Sequence, residues 1–175
     1  MRTEANASQE EVVKYATAAI EFLTILNTYN PCEFYSGRIE KLSSFVADLP
    51  LEIRFTTIKW KKTVSGFEEL GGLGNVEVWA YTGNTPLSSG DYSSEKQFKK
   101  TIANNNNFSM LCVTDANGVA DISLNRQEMP FSLIFRPVGY DKNARITSMG
   151  MQNIMNESKG SYNKRQFRIR MFVNE

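Results

Sequence analysis

The sequence predicts a mainly β chain with a helical N-terminus: an antiparallel β-sandwich preceded by a helical hairpin. Three observations lead there. Residues 8 to 49 repeat apolar side chains at helical spacing. From Leu51 the period switches to alternation, with Leu51, Ile53 and Phe55 set against Glu52, Arg54 and Thr56. Further alternating runs are then joined by Asp115-Ala116-Asn117-Gly118, where Asn and Gly accept a positive φ at low cost, a hairpin signal. The expected organisation is an arm and helical hairpin over 1–50, then a sandwich over 51–175 with a long insertion at 81–107.

Met1–Ala7 reads as a mobile arm, and Ser8-Gln9-Glu10-Glu11 as a capping box that starts a helix. Val12, Ala16, Ala19, Ile20, Leu23 and Leu26 make its apolar stripe, which Val13, Phe22 and Ile25 widen. The helix should stop before Pro31. A second helix is expected over Ser36–Asp48, with Ile39, Leu42, Phe45, Val46 and Leu49 on its apolar side and Pro50 ending it. The first strand should reach about Trp60, Lys61–Leu70 should be a polar connection, and Gly71-Gly72-Leu73-Gly74 should admit a tight entry to the next strand. There Val76, Val78 and Ala80 alternate with Glu77 and Trp79. Later strands are expected at Phe108–Thr114, around Ala120, Ile122 and Leu124, around Phe131, Leu133 and Phe135, and at Lys164–Val173. In the last, Phe167, Ile169, Met171 and Val173 face one way and Gln166, Arg168 and Arg170 the other.

The chain has 175 residues and a formal net charge of +1, and it has no histidine. The missing imidazole removes the commonest general base and metal ligand, and with it the Ser-His, Cys-His and His-metal constellations. Cys32 and Cys112 lack C-x-x-C spacing and are expected as reduced, buried thiols. No signal peptide and no apolar run of membrane-spanning length is apparent. The balanced charge does not suggest nucleic acid as a partner. Charge is nonetheless polarised: residues 1–53 carry four basic and eight acidic side chains, residues 142–175 seven basic and two acidic.

Three enzymatic or ligand-binding alternatives are weak. Gly72-x-Gly74 has Glu77 where a dinucleotide fingerprint needs its third glycine. A calcium loop from Asp115, Asn117 and Asp121 has Arg126 at the closing position. Glu68 and Glu69, as paired carboxylates, sit next to each other and so point to opposite faces of a strand. No catalytic, cofactor or metal residue is therefore assigned. The candidate partner-binding residues are Val13, Phe22 and Ile25 on the first helix, Trp79 as an outward aromatic, Tyr92 and Phe98 among the lysines Lys96, Lys99 and Lys100, and Arg168 and Arg170 on the last strand. A glycan would find Trp79, Tyr81 and Tyr92 as its stacking platform.

The residues Gly72–Ala80, Thr114–Leu124 and Phe131–Tyr140 together resemble the transthyretin-like, carboxypeptidase-regulatory-like family of β-sandwiches, allied to Ig-like folds. The resemblance implies about seven or eight strands and a non-catalytic role as spacer, adhesive surface or assembly unit. The partners it implies are other proteins in a larger assembly, copies of the chain itself included, with no cofactor and no membrane. Without a leader, a virion component of a tailed phage is the setting it suggests: capsid decoration, neck, tail or fibre, found in the virion or the cytoplasm of the producing cell. A carbohydrate- or cell-surface-binding module is the alternative.

Overall fold

The computed structural model describes residues 9–92, 94–139, 145–160 and 164–172. The expected arm Met1–Ala7, the capping Ser8, and Tyr140 and Val173 lie outside the described residues. The chain divides into two compact units. One holds the N-terminal helices with Ser123–Glu128, and the other holds the bulk of two β-sheets.

In the first unit, α1 (Gln9–Tyr29) and α2 (Glu33–Ala47) pack along each other. The reversal between them is tied by Asn27, whose Oδ1 accepts the Cys32 N–H at 3.1 Å and so satisfies a backbone group at the mouth of α2. Helix α2 begins earlier than its apolar spacing suggests, because Cys32, extended directly after Pro31, serves as N-cap. Burial falls on Val13 and Ala16 of α1 and Val46 of α2. Val13, expected outside, is 1% exposed, while Val12, expected inside, is 36% exposed. Ala16 is buried as expected and Ala19, Ile20, Leu23 and Leu26 are half-buried, so the stripe holds along the helix and only its first valine changes.

The second unit is an antiparallel sandwich. Strand β1 (Leu51–Thr63) turns through Val64-Ser65 into β2 (Gly66–Gly72), followed by β3 (Val76–Tyr81), α3 (Glu95–Ala103), β4 (Phe108–Val113) and β5 (Val119–Leu124). Then come β6 (Ser132–Pro137), β7 (Thr147–Gly150), α4 (Met151–Glu157), β8 (Lys159–Gly160) and β9 (Lys164–Phe172). One sheet has the order β2-β1-β9-β8 with β5 also paired to β1; the other runs β4-β3-β6-β7. The Phe55 ring of the first sheet meets Phe135 of the second at 5.2 Å and Phe167 at 6.3 Å, both edge to face. Ile53, Val76, Val78, Leu133, Ile169 and Met171 complete this core. Strand β9 alternates as expected, with Phe167, Ile169 and Met171 buried and Arg168 and Arg170 exposed.

Four expectations need correction. The connection Lys61–Leu70 is not a loop, because β1 runs on to Thr63 and pairs with β2, an edge strand exposed at every residue and so without alternation. The insertion 81–107, by composition a solvated loop, is not one throughout, because Glu95–Ala103 of it forms α3 over the outer face of the second sheet. Phe131, expected in the strand with Leu133 and Phe135, precedes it and is 42% exposed. Cys32, expected as a buried thiol, is exposed, and both cysteines are free.

Thr57 joins three segments at the sandwich end. Fully buried, its hydroxyl donates to Leu73 O at 2.6 Å and lies 3.0 Å from Gly118 O, its N–H donates to Gly118 O at 2.8 Å, and its carbonyl accepts Leu73 N–H at 2.9 Å. The turn 115–118 is closed by Asp115, whose Oδ1 accepts Asn117 N–H and Val119 N–H. Of its residues only Gly118 takes a positive φ, +78°. A side chain at Gly72 or Gly74 would run into the backbone of that turn, so those glycines serve close approach and not phosphate binding.

Candidate interaction surfaces

The insertion removes several candidates from the surface. Ser94, extended, accepts the Gln97 N–H at 3.2 Å and starts α3, which lays Phe98 on the sheet. Phe98 is 1% exposed and clusters with Tyr81 and Ile134, while Trp79, Tyr92, Ile102 and Phe108 pack around them. All six residues of β6 are buried for this reason, Leu133 and Phe135 toward the sandwich core and Ile134 under α3. Trp79 meets Phe98 edge to face at 5.8 Å, and its Nε1–H donates to Glu77 Oε2 at 2.8 Å. The same Glu77 oxygen takes Arg136 at 2.9 Å, and Arg136 reaches Glu95 on α3 at 3.2 Å. Hydrogen bonding to Lys99, with help from Arg136, holds the Glu95 carboxyl below the usual carboxylate range.

Phe98 is therefore core and not a contact residue. The proposed glycan platform is also not formed, since Tyr81 is buried and Trp79 and Tyr92 pack inward. Replacing Phe98 with Ala should detach α3 locally. Limited proteolysis should then cut within 82–107 at protease levels the native chain resists, while the sandwich keeps a cooperative melt.

Among the described residues, two surfaces carry the remaining candidates. The first is on α1, where Tyr15 is 67% exposed, Phe22 61%, Ile25 56% and Tyr29 85%, with Ala18 exposed between them. Positions 15, 18, 22, 25 and 29 alternate by three and four, the spacing of a seam that a partner covers. Phe34 of α2 is exposed as well, with Arg38 stacked 5.5 Å over its ring. Of the residues expected to contact partners on this helix, Phe22 and Ile25 are on the surface and Val13 is not.

The second surface is on the first sheet. The register sets Trp60 opposite Glu69 and Lys62 opposite Phe67, so these four side chains share a face. Trp60, Phe67 and Phe172 form an aromatic triangle with centroids 5.3 to 6.4 Å apart. Arg170 lies 4.7 Å over the Trp60 ring, and Arg168 pairs with Glu69 at 2.7 Å. A cavity of about 450 Å³ opens here, lined by Ile58, Trp60, Glu69, Met149, Arg168 and Arg170. A second of about 370 Å³, lined by Arg54, Thr56, Gln166 and Arg168 among others, adjoins it. The aromatic triangle was not foreseen, since Phe67 stands in a segment read as a loop and Trp60 closes a strand read as shorter.

The carboxylates once weighed for catalysis or calcium have structural partners. Glu69 holds Arg168, Glu68 faces Lys61 across the hairpin, and Asp115 closes its turn. Asp121 makes two hydrogen bonds with Arg54, at 2.8 and 2.9 Å, which hold its carboxyl below the usual range. Cys112 is pushed up, by burial first and by Asp121 second. A depressed carboxyl stabilises the fold above its unfolded pKa and loses that contribution as pH falls through the folded one. Asp121→Asn should therefore lower the melting midpoint slightly at neutral pH, and the difference should vanish as the solution is acidified below the Asp range.

Compared with known proteins, the chain matches no family model and no curated protein sequence. Among solved structures it is similar to GBS52, the minor pilin of the Gram-positive pathogen Streptococcus agalactiae, at 11% identity and a TM-score of 0.34. The match takes in 73% of this chain and 46% of the pilin's.

Proposed function

We propose that this chain is a structural or assembly protein that works through protein–protein contacts, with the sandwich as rigid body and α1 as a docking element. The carrying observation is the row Tyr15, Phe22, Ile25 and Tyr29, four large apolar side chains on one helix face, each more than half exposed. Exposed apolar rows of this kind mark contacts. Its partner is another protein, because the row is long and helical and not a pocket shaped for a small molecule. The finer reading, a transthyretin-like module in the virion of a tailed phage, rests on the resemblance of residues 72–140 and on nothing further.

The experiment is the native mass of the chain in its source material, measured by sedimentation for the wild type and for Phe22→Ser/Ile25→Ser. The wild type should sediment in a large complex, and the variant should be released from it as a folded chain with an unchanged melt. A wild type that sediments alone, or a variant that stays in the complex, overturns the reading.

A further inference from the structure

The two exposed surfaces differ in charge and match in chemistry, and we propose that each binds the other on a second copy of this chain. The helical face of one copy docks head to tail on the Trp60–Phe67–Phe172 face of the next, an inference that rests on the assembly reading above and names its partner.

Charge carries the first part of the argument. Residues 11–47 hold four acidic side chains (Glu11, Glu21, Glu33, Glu40) and three basic (Lys14, Arg38, Lys41), a balance of −1. On the sheet face Lys62, Arg168 and Arg170 against Glu69 and Glu157, which lines the same cavity, give +1. Pairing helical face with helical face would set like charge against like, with Glu21 flanking the seam on both sides. Pairing helix with sheet sets opposite signs together, which favours encounter and register.

Side-chain chemistry carries the second. The helix offers the rings of Tyr15, Phe22 and Tyr29, and the sheet offers guanidinium groups, which stack on aromatic faces and remain weakly hydrated. Arg170 already lies over Trp60, so its second face is presented to whatever docks. Phe67, 55% exposed, and Phe172, 39% exposed, supply the apolar floor.

Area carries the third. Aromatic side chains bury roughly 150–250 Å² each, so the exposed parts of Tyr15, Phe22, Tyr29 and Phe34 come to roughly 400–700 Å². A standard interface takes about 800 Å² per partner, so the contact is of a size to form reversibly. Because the two surfaces differ, each contact uses one of each, and copies join as a reciprocal pair, a ring or an open chain.

The test uses the full chain and two variants, Phe22→Ser/Ile25→Ser on the helix and Phe67→Ser/Arg170→Glu on the sheet, each checked for a cooperative melt. The weight-average mass of the wild type should rise with concentration, and less so in high salt. Each variant alone should stay monomeric. An equimolar mixture should form a dimer of two chains and nothing larger, since each variant keeps the surface the other lacks. If the sheet variant self-associates like the wild type, or if the mixture stays monomeric, head-to-tail contact is overturned. If the pure wild type is monomeric at every concentration while Phe22→Ser/Ile25→Ser still leaves the native complex, this inference fails and the assembly reading stands with a different partner.

Discussion

Gly118→Val should lower the stability of the sandwich by about 3 kcal/mol or more, from two costs that cannot be relieved together: a strained backbone, roughly 1–3 kcal/mol, and overpacking, roughly 1–3 kcal/mol. Gly118 sits at φ +78°, where β-branched residues are strained. A Cβ built there lands against the Thr57 carbonyl and within 2.8 Å of the Leu73 nitrogen, and both are backbone atoms. Rotating a side chain does not clear them, and moving either segment breaks the hydrogen bonds through which Thr57 ties β1 to the turn and to Leu73. In a domain of this length the loss is a fall in melting midpoint of roughly 6–12 °C. Gly118→Asn separates the two costs, because Asn accepts a positive φ but still carries the Cβ. Asn should therefore cost about half as much as Val, the overpacking alone. A midpoint within a degree or two of wild type in Gly118→Asn would show that conformation, and not close approach, is what the glycine serves.

That position also shows where sequence stops being legible. Asn117-Gly118 announces a turn through local chemistry, and the turn is there, but Gly72 and Gly74 are glycine because the same turn passes against them from more than forty residues away in the chain. The alternation of β9 was readable, since one face of that strand is buried and the other is not. Strand β2 was not, because an edge strand exposed throughout carries no period. Helix α3 lay in between. Ser94-x-x-Gln97 is a capping pattern, and Phe98 and Ile102 are one turn apart, yet the surrounding Ser, Asn and Lys residues speak for a loop. On α1 the amphipathic pattern was plain, but the choice between Val12 and Val13 depends on what the helix packs against, which no local pattern holds. The sheet half of the proposed interface was half legible. Arg168 and Arg170 were visible as a row, while the Trp60–Phe67–Phe172 triangle needed the pairing of β1 with β2 to assemble.

Ending the chain at residue 163 should abolish folding of the sandwich, and this is the largest effect expected. Strand β9 lies between β1 and the two-residue β8, so its loss leaves one side of β1, the longest strand, without a partner. It also removes Phe167, Ile169 and Met171, exposed by 5%, 1% and 0%. Full burial of side chains of this size is worth roughly 1.5–3 kcal/mol each, so the three amount to about 5–9 kcal/mol. A typical domain is stable by roughly 5–15 kcal/mol in total. The loss also uncovers the Phe55 ring, which meets Phe167 on one side and Phe135 on another, and so opens the centre of the core and not its rim. Circular dichroism and thermal melting of the truncated chain should show no cooperative transition. Adding residues 164–175 back as a separate peptide should restore one, in proportion to peptide concentration, because a ligand that binds only the folded state stabilises by mass action. A truncated chain that melts cooperatively without the peptide would mean that β9 is a peripheral strand, and its arginine row would then be free to leave the sheet when a partner docks.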